Sequence, residues 1–291
     1  MILWLLLVAL VLPAPAAEEY ARYDLELNRL MLRQAAVALE AGGVVENWQR
    51  GQGAATNAAA LASLDSLLKK SEALTREVER LKPPTSAKAL HAAAARAARG
   101  RTELIRLARA HVAQGNPTGP TQTAFMGQNL TATSELQARW ISDRLEAARS
   151  APVQGARLRE FYEWQTQMLS LTRTQVKVGS EVQKLVFASS GSSANLPALI
   201  QQAGEATVIS FEIRYKARLI QPPAALAEAH LKAREEQAAL SQLCAEIKAY
   251  TGDRSDETRA HVVYSFRELR EASQAAERAS LEALAAALNS R

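Results

Sequence analysis

The chain contains one cysteine, Cys244, in 291 residues. It can close no intramolecular disulfide, so its stability rests on packing. Histidine is almost as scarce, with His91, His111, His230 and His261 the full set. None has a glutamate three residues before it, where Lys88, Ala108, Ala227 and Thr258 stand, so the Glu-x-x-His pairs of di-iron carboxylate bundles are missing. The His-Glu-x-x-His zinc pattern, paired-cysteine metal sites and Cys-x-x-Cys-His haem attachment are missing too. So are a Gly-rich phosphate loop after a strand and a Gly-x-Ser-x-Gly elbow. No cofactor and no metal is expected. Catalysis would need a site assembled from scattered residues, and a non-catalytic role is the expectation.

Aromatic residues make up only 5% of the chain, and glycine and proline cluster in a few places that read as loops. No alternating apolar–polar strand pattern occurs. What fills the chain is Ala, Leu, Glu, Gln and Arg, all good helix formers, so the expected fold class is all-α.

Long apolar runs are absent except one. Ile2 to Leu12 is apolar throughout and is followed by Pro13-Ala14-Pro15-Ala16-Ala17, small residues that suit cleavage. The run falls short of the roughly 20 apolar residues a permanent span needs. Residues 1–17 therefore read as a secretory signal cut after Ala16 or Ala17, and the protein as exported, periplasmic or extracellular. No Lys or Arg precedes the run, so an uncleaved segment that tethers the protein to the membrane is the alternative. No second run suggests a transmembrane span in the mature chain.

The most distinctive pattern is a segment that occurs twice. Arg80 to His91 reads RLKPPTSAKALH, and Arg218 to His230 reads RLIQPPAALAEAH. The chain's two Pro-Pro pairs are Pro83-Pro84 and Pro222-Pro223, and a histidine follows each pair at the same distance. Both prolines and histidines are offset by 139 residues (83 to 222, 91 to 230). Tyr23 matches Tyr162, Leu104 matches Leu243, and Phe125 matches Tyr264 at the same offset. The expected architecture is two tandem four-helix up-down bundles, residues 18–150 and 151–291. Proline breaks the second helix of each unit. Gly42-Gly43 is expected to end the first helix, Pro152 to sit in the first turn of the fifth, and Ser255 to cap the last.

Net charge is +5, too modest to indicate specific nucleic-acid binding. Its distribution is more informative. On the third helix Lys88, Arg96, Arg99, Arg106 and Arg109 fall within an arc of roughly 140° at helical spacing, with Glu103 the one carboxylate among them. The matching positions of the second unit are Ala227, Glu235, Ala238, Ala245 and Lys248, so the basic row belongs to one copy. It is either a solvated face or a docking surface for an anionic protein, lipid head group or wall polymer. Arg101 projects instead from the apolar side of that helix, where it snorkels or meets a neighbour's carboxylate.

Arg101, His91 and His230 are the candidates for an interior polar or ligand site. Each histidine lies beside a proline corner, where it either packs locally or meets its pseudo-symmetric counterpart. Met31, Met126 and Met168 with His111 read as core filling and not as haem ligands, and Cys244 as a buried thiol between Leu240, Leu243 and Ile247. Glu257 and His261 read as a surface pair.

The leading functional reading is an exported non-catalytic scaffold or interaction protein of a bacterial-type cell envelope. The second is a small-molecule-binding bundle. In helix number and export the chain is similar to the periplasmic four-helix sensor modules of bacterial chemoreceptors, which implies a ligand held between helices; the second membrane span and signalling region of those receptors are not in it. Oligomeric state is not legible in the sequence.

Overall fold

The computed structural model describes residues 14–51, 54–115, 120–189 and 196–289. Every regular element among them is helical, as the composition requires. The α-helices are α1 (Ala14–Arg50), α2 (Ala54–Arg80), α3 (Lys88–Ala113), α4 (Pro120–Arg149), α5 (Ala156–Ser189), α6 (Leu196–Leu219), α7 (Ala227–Gly252) and α8 (Asp256–Asn289). One 3-10 turn at Thr85–Ala87 precedes α3 and another at Ala224–Leu226 precedes α7. Most of the apolar leader, including Ile2 to Leu12, lies outside the described residues. No described helix is long and apolar enough to cross a membrane.

The two proline corners have closely similar backbones. Pro84 sits at φ −61°, ψ 159° and Pro223 at φ −54°, ψ 149°. The residues that open the following helices, Ala87 and Leu226, lie at φ −104°, ψ 4° and φ −108°, ψ 5°. Proline lacks an amide hydrogen and disfavours helical conformation in the residue before it, so α2 and α6 both stop ahead of their pairs.

Two boundaries differ from the sequence expectation. α1 runs straight through Gly42-Gly43 to Arg50. A glycine ends a helix by adopting the left-handed conformation, and among the described residues only Gly115 and Gly155 have positive φ. Val45 and Trp48 are buried beyond the glycines, so packing carries the helix past them. Pro152 does not open α5 either. The chain turns at Ser150–Gly155, Gly155 takes φ 87°, and α5 returns alongside α4. Ser255 does cap α8, its hydroxyl accepting from the Thr258 amide at 3.3 Å.

α1, α2 and α3 pack on one another; α5 packs on α6, α7 and α8; α4 lies between α3 and α5, and α1 also reaches α8. Three apolar clusters result. One, at the far end of α1–α3, is built on Val45, Trp48, Leu64, Ile105 and Val112. Another, in α5–α8, holds Val182, Leu199, Ile213, Leu243 and Ile247, with the Cys244 thiol buried among them and pushed up to about 11 by that burial. The largest cluster lies between these and draws on both halves of the chain: Tyr20, Leu27 and Met31 of α1, Leu145 of α4, Phe161 and Met168 of α5, and Leu284 of α8. Met31 and Met168 are core filling. The side chain of Met126 is outside the described residues.

Glycines in helix interiors without close neighbours weaken a helix by about 0.5–1 kcal/mol relative to alanine. A Cβ on Gly42 would meet nothing within 4 Å, whereas Gly155 holds a left-handed conformation. Gly42→Ala is expected to stabilise the protein by about 0.5–1 kcal/mol, and Gly155→Ala to destabilise it by about 1 kcal/mol, in urea denaturation.

Candidate functional site

The interior is not wholly apolar. Between the central cluster and the far cluster of α1–α3, the Gln34 amide nitrogen lies 2.8 Å from the Ser71 hydroxyl, 3.2 Å from that of Thr102 and 3.1 Å from the Ala98 carbonyl. Ser71 and Thr102 hydroxyls also meet at 2.8 Å. In the other half Ser241, which stands 139 residues after Thr102, donates to the carbonyl of Ser210 at 3.2 Å, and Ser210 stands 139 after Ser71. These layers link helices through buried side chains, while Gln34 Oε1 has no hydrogen-bond partner.

A second polar group crosses the central cluster. Arg144 of α4, with its side chain 8% exposed, donates from Nη1 to Glu277 Oε1 of α8 at 2.8 Å and lies 5.8 Å from the centre of the Trp140 ring. Its charge also acts on Asp24 of α1, which accepts from the Tyr162 hydroxyl of α5 at 2.9 Å and from Asn28 at 2.7 Å. Burial raises the Asp24 carboxyl above its usual range, opposed by Arg144 and by these two hydrogen bonds. Burial likewise raises the Tyr162 phenol, so it stays a donor.

Arg101 belongs to the same interior. Its Nη1 donates to the Met31 carbonyl at 3.0 Å. Burial pulls its guanidinium down to about 10, with Glu277 opposing and Arg144 reinforcing. Nearby, burial raises the Glu236 carboxyl of α7, which accepts from the Ser273 hydroxyl at 2.5 Å. The sequence placed Arg101 on the apolar side of α3; its carboxylate neighbour comes from α8, far along the chain, so no local signal could name it.

His91 and His230 are each engaged within their own half. The Tyr23 hydroxyl and His91 Nδ1 are 2.6 Å apart. Trp164 Nε1 donates to His230 Nδ1 at 3.4 Å, which holds the neutral imidazole with its proton on Nε2. Burial lowers the His230 pKa, reinforced by Arg234. His111 is buried edge-on against the Trp48 ring at 5.5 Å and is lowered by burial as well. His261 Nδ1 faces Glu246 of α7 at 3.5 Å. Among the described residues no group of three or more His, Cys, Asp or Glu side chains could hold a metal.

The basic row of α3 is a row of ion pairs. Arg96 meets Asp143 of α4 at 3.4 Å, Arg99 meets Glu79 of α2 at 3.2 Å, and Arg106 meets Glu72 at 3.1 Å as well as Glu103. Arg109 donates to both oxygens of Asp65, and that hydrogen bonding holds the Asp65 carboxyl below its usual range. Lys88 is exposed at the start of the helix. Exposed pairs of this kind add little to stability. Their larger effect is on the field, since the carboxylates of α2 and α4 offset much of the row's positive charge.

The surface feature that sequence reasoning missed is on α6. Leu199, Ala203, Ala206, Ser210, Ile213 and Ala217 are buried on one side of this helix. The opposite side is apolar too, with Val208 59%, Phe211 50%, Tyr215 63% and Leu219 63% exposed. A helix that is apolar all round is normally buried all round. At the matching positions α2 carries Lys69, Glu72, Arg76 and Arg80. A helical projection of residues 196–219 carries this signal; it is hidden in the linear sequence because both faces read as core.

Comparison with known protein families, with curated proteins and with solved structures finds no match to this chain.

Two measurements test the interior. Glu277→Gln leaves Arg144 and Arg101 without their carboxylate and should cost about 2–4 kcal/mol, read by urea denaturation. His230 and His111 favour the neutral form in the folded state, so the unfolded chain binds more protons below about pH 6.5. Their contribution is complete above that pH and is lost as pH falls through it, while the raised Asp24 and Glu236 act in the opposite sense. His230→Asn should flatten the loss of stability measured between pH 7 and pH 5.

Proposed function

We propose that the protein is an exported, non-catalytic helical interaction protein of the cell envelope, built from two copies of one four-helix unit. The repeat is supported by element boundaries that coincide at an offset of 139, with α2 and α6 ending at 80 and 219 and α3 and α7 spanning 88–113 and 227–252. It is supported further by the similar proline corners and by the contacts Ser71–Thr102 and Ser210–Ser241 at matching positions. Export rests on the apolar leader and the small residues after it.

The observation that carries the interaction reading is the outer face of α6. Exposed Val208, Phe211, Tyr215 and Leu219 form a continuous apolar strip on a long, regular helix, in the half of the chain whose counterpart helix is charged there. Such strips mark docking surfaces. The basic row of α3 is the second element: an anionic protein, lipid head group or wall polymer competes there with the carboxylates of α2 and α4 for the arginines, in a salt-sensitive way.

A small-molecule-binding, sensor-like bundle is the second reading. It is favoured by the Gln237 side chain, which is buried with both amide atoms lacking a hydrogen-bond partner. Against it, two hollows among the described residues are open grooves, one of about 440 Å³ beside Arg29, Arg33 and Arg80 and one of about 380 Å³ between α5 and α6. Arg101, His91 and His230 line neither.

A thermal-shift screen separates the readings. Small molecules, metals, haem, nucleotides, acidic polymers and anionic lipids are tested at low and physiological salt. A bound ligand at about a hundred times its Kd adds about 2.7 kcal/mol, enough to raise Tm by several degrees. The expected outcome is no shift from any small molecule and a salt-sensitive shift from polyanions that is reduced in Arg96→Gln and Arg99→Gln. A salt-resistant shift from one small molecule would overturn the interaction reading in favour of the sensor-like one.

A further inference from the structure

We infer that the exposed face of α6 pairs with the same face of a second copy of this chain, the two α6 helices running antiparallel about a two-fold axis. The inference rests on the interaction reading above and names the partner.

The apolar face is the row Ile200, Gly204, Val208, Phe211, Tyr215 and Leu219. Its spacing, 4-4-3-4-4, reads the same in both directions. An antiparallel partner reverses the order of a helix, so only a row of symmetric spacing meets its own copy in register along its whole length. Here Ile200 faces Leu219 of the second copy, Gly204 faces Tyr215, and Val208 faces Phe211. Each of these pairs occurs twice, as a closed isologous contact requires.

The sizes match as well as the spacing. The bulkiest exposed side chain, Tyr215, falls opposite the smallest residue, and a Cβ on Gly204 would meet nothing within 4 Å in the single chain. The missing side chain therefore leaves room for a neighbouring ring. Charge at the rim agrees. Glu205 and Lys216 flank the row on the same edge, and both are exposed. Antiparallel pairing puts like edges together, so Glu205 comes within about one turn of Lys216 of the second copy, which in the single chain already holds Glu212 at 3.6 Å.

The counterpart helix α2 carries Asp65, Lys69, Glu72, Arg76 and Arg80 along that row, so the first half has no equivalent face. One such face per chain closes a dimer and cannot propagate a filament. The row runs from Ile200 to Leu219, about 28 Å of helix. One helix pair is small beside the about 800 Å² per partner of standard stable complexes, so the dimer is expected to dissociate in the micromolar range.

Sedimentation equilibrium of the full chain tests the inference. The average mass should rise from one chain to two with concentration, and Phe211→Glu with Tyr215→Lys should weaken association at least tenfold while helical circular dichroism is unchanged. Orientation is tested with cysteines, since Cys244 is buried. Under mild oxidation Ile200→Cys with Leu219→Cys should give a covalent dimer, whereas Leu219→Cys alone, about 28 Å from its copy in this register, should not. Mild oxidation yielding a dimer from Leu219→Cys alone would overturn the antiparallel register. A chain that stays monomeric at hundreds of micromolar would overturn the dimer. If that monomer still floats with anionic vesicles, and the α6 variant abolishes flotation, α6 remains a docking face with a lipid occupant. If the α6 variant changes neither property, the interaction reading falls with the dimer.

Discussion

Placing Arg101 and Arg144 inside a helical protein costs several kcal/mol of desolvation per ion, and the helices around them are arranged to offset it. The carboxylates and carbonyls that do so come from α1 and α8, the tyrosine that steadies Asp24 comes from α5, and Arg144 itself rides on α4. No single half of the chain holds all of these groups. The central apolar cluster has the same property, since residues of α1, α4, α5 and α8 close it together. The halves are therefore joined by their largest core and by charges that neither could bury alone.

Away from that centre the two halves have similar proline corners and different surfaces. The proline corners match in backbone angles because each depends on local chemistry that tolerates change elsewhere. The outer faces are free of that constraint. α2 and α3 bind their exposed charges to one another through Asp65, Glu72 and Glu79, which leaves a solvated and nearly balanced surface. α6 instead exposes Val208, Phe211, Tyr215 and Leu219. Exposed apolar area of this kind favours association, which is the physical basis of the interaction proposed for α6.

The all-helical class, the proline corners and the Ser255 cap were legible because each depends on residues adjacent in sequence. The end of α1 was misread at Gly42-Gly43: the glycines are visible locally, while the burial of Val45 and Trp48 that carries the helix onward depends on α2 and α3. Arg101 was legible as an interior charge but not its neighbours Glu277 and Arg144, which come from distant helices. The basic row was legible as Lys88, Arg96, Arg99, Arg106 and Arg109; its ion pairs were not, since the acids sit on α2 and α4. The apolar face of α6 was overlooked because an apolar residue in sequence does not say which side of the helix the rest of the protein covers.

The most direct test of a shared centre is urea denaturation followed at once by far-ultraviolet circular dichroism and tryptophan fluorescence. Trp140 and Trp164 lie in the central cluster and Trp48 in the far cluster of the first half. The account predicts one transition, coincident by both probes, that moves as a whole when Glu277 is replaced by glutamine. Two separate transitions, with that substitution shifting only one of them, would show that the halves fold independently and would contradict it.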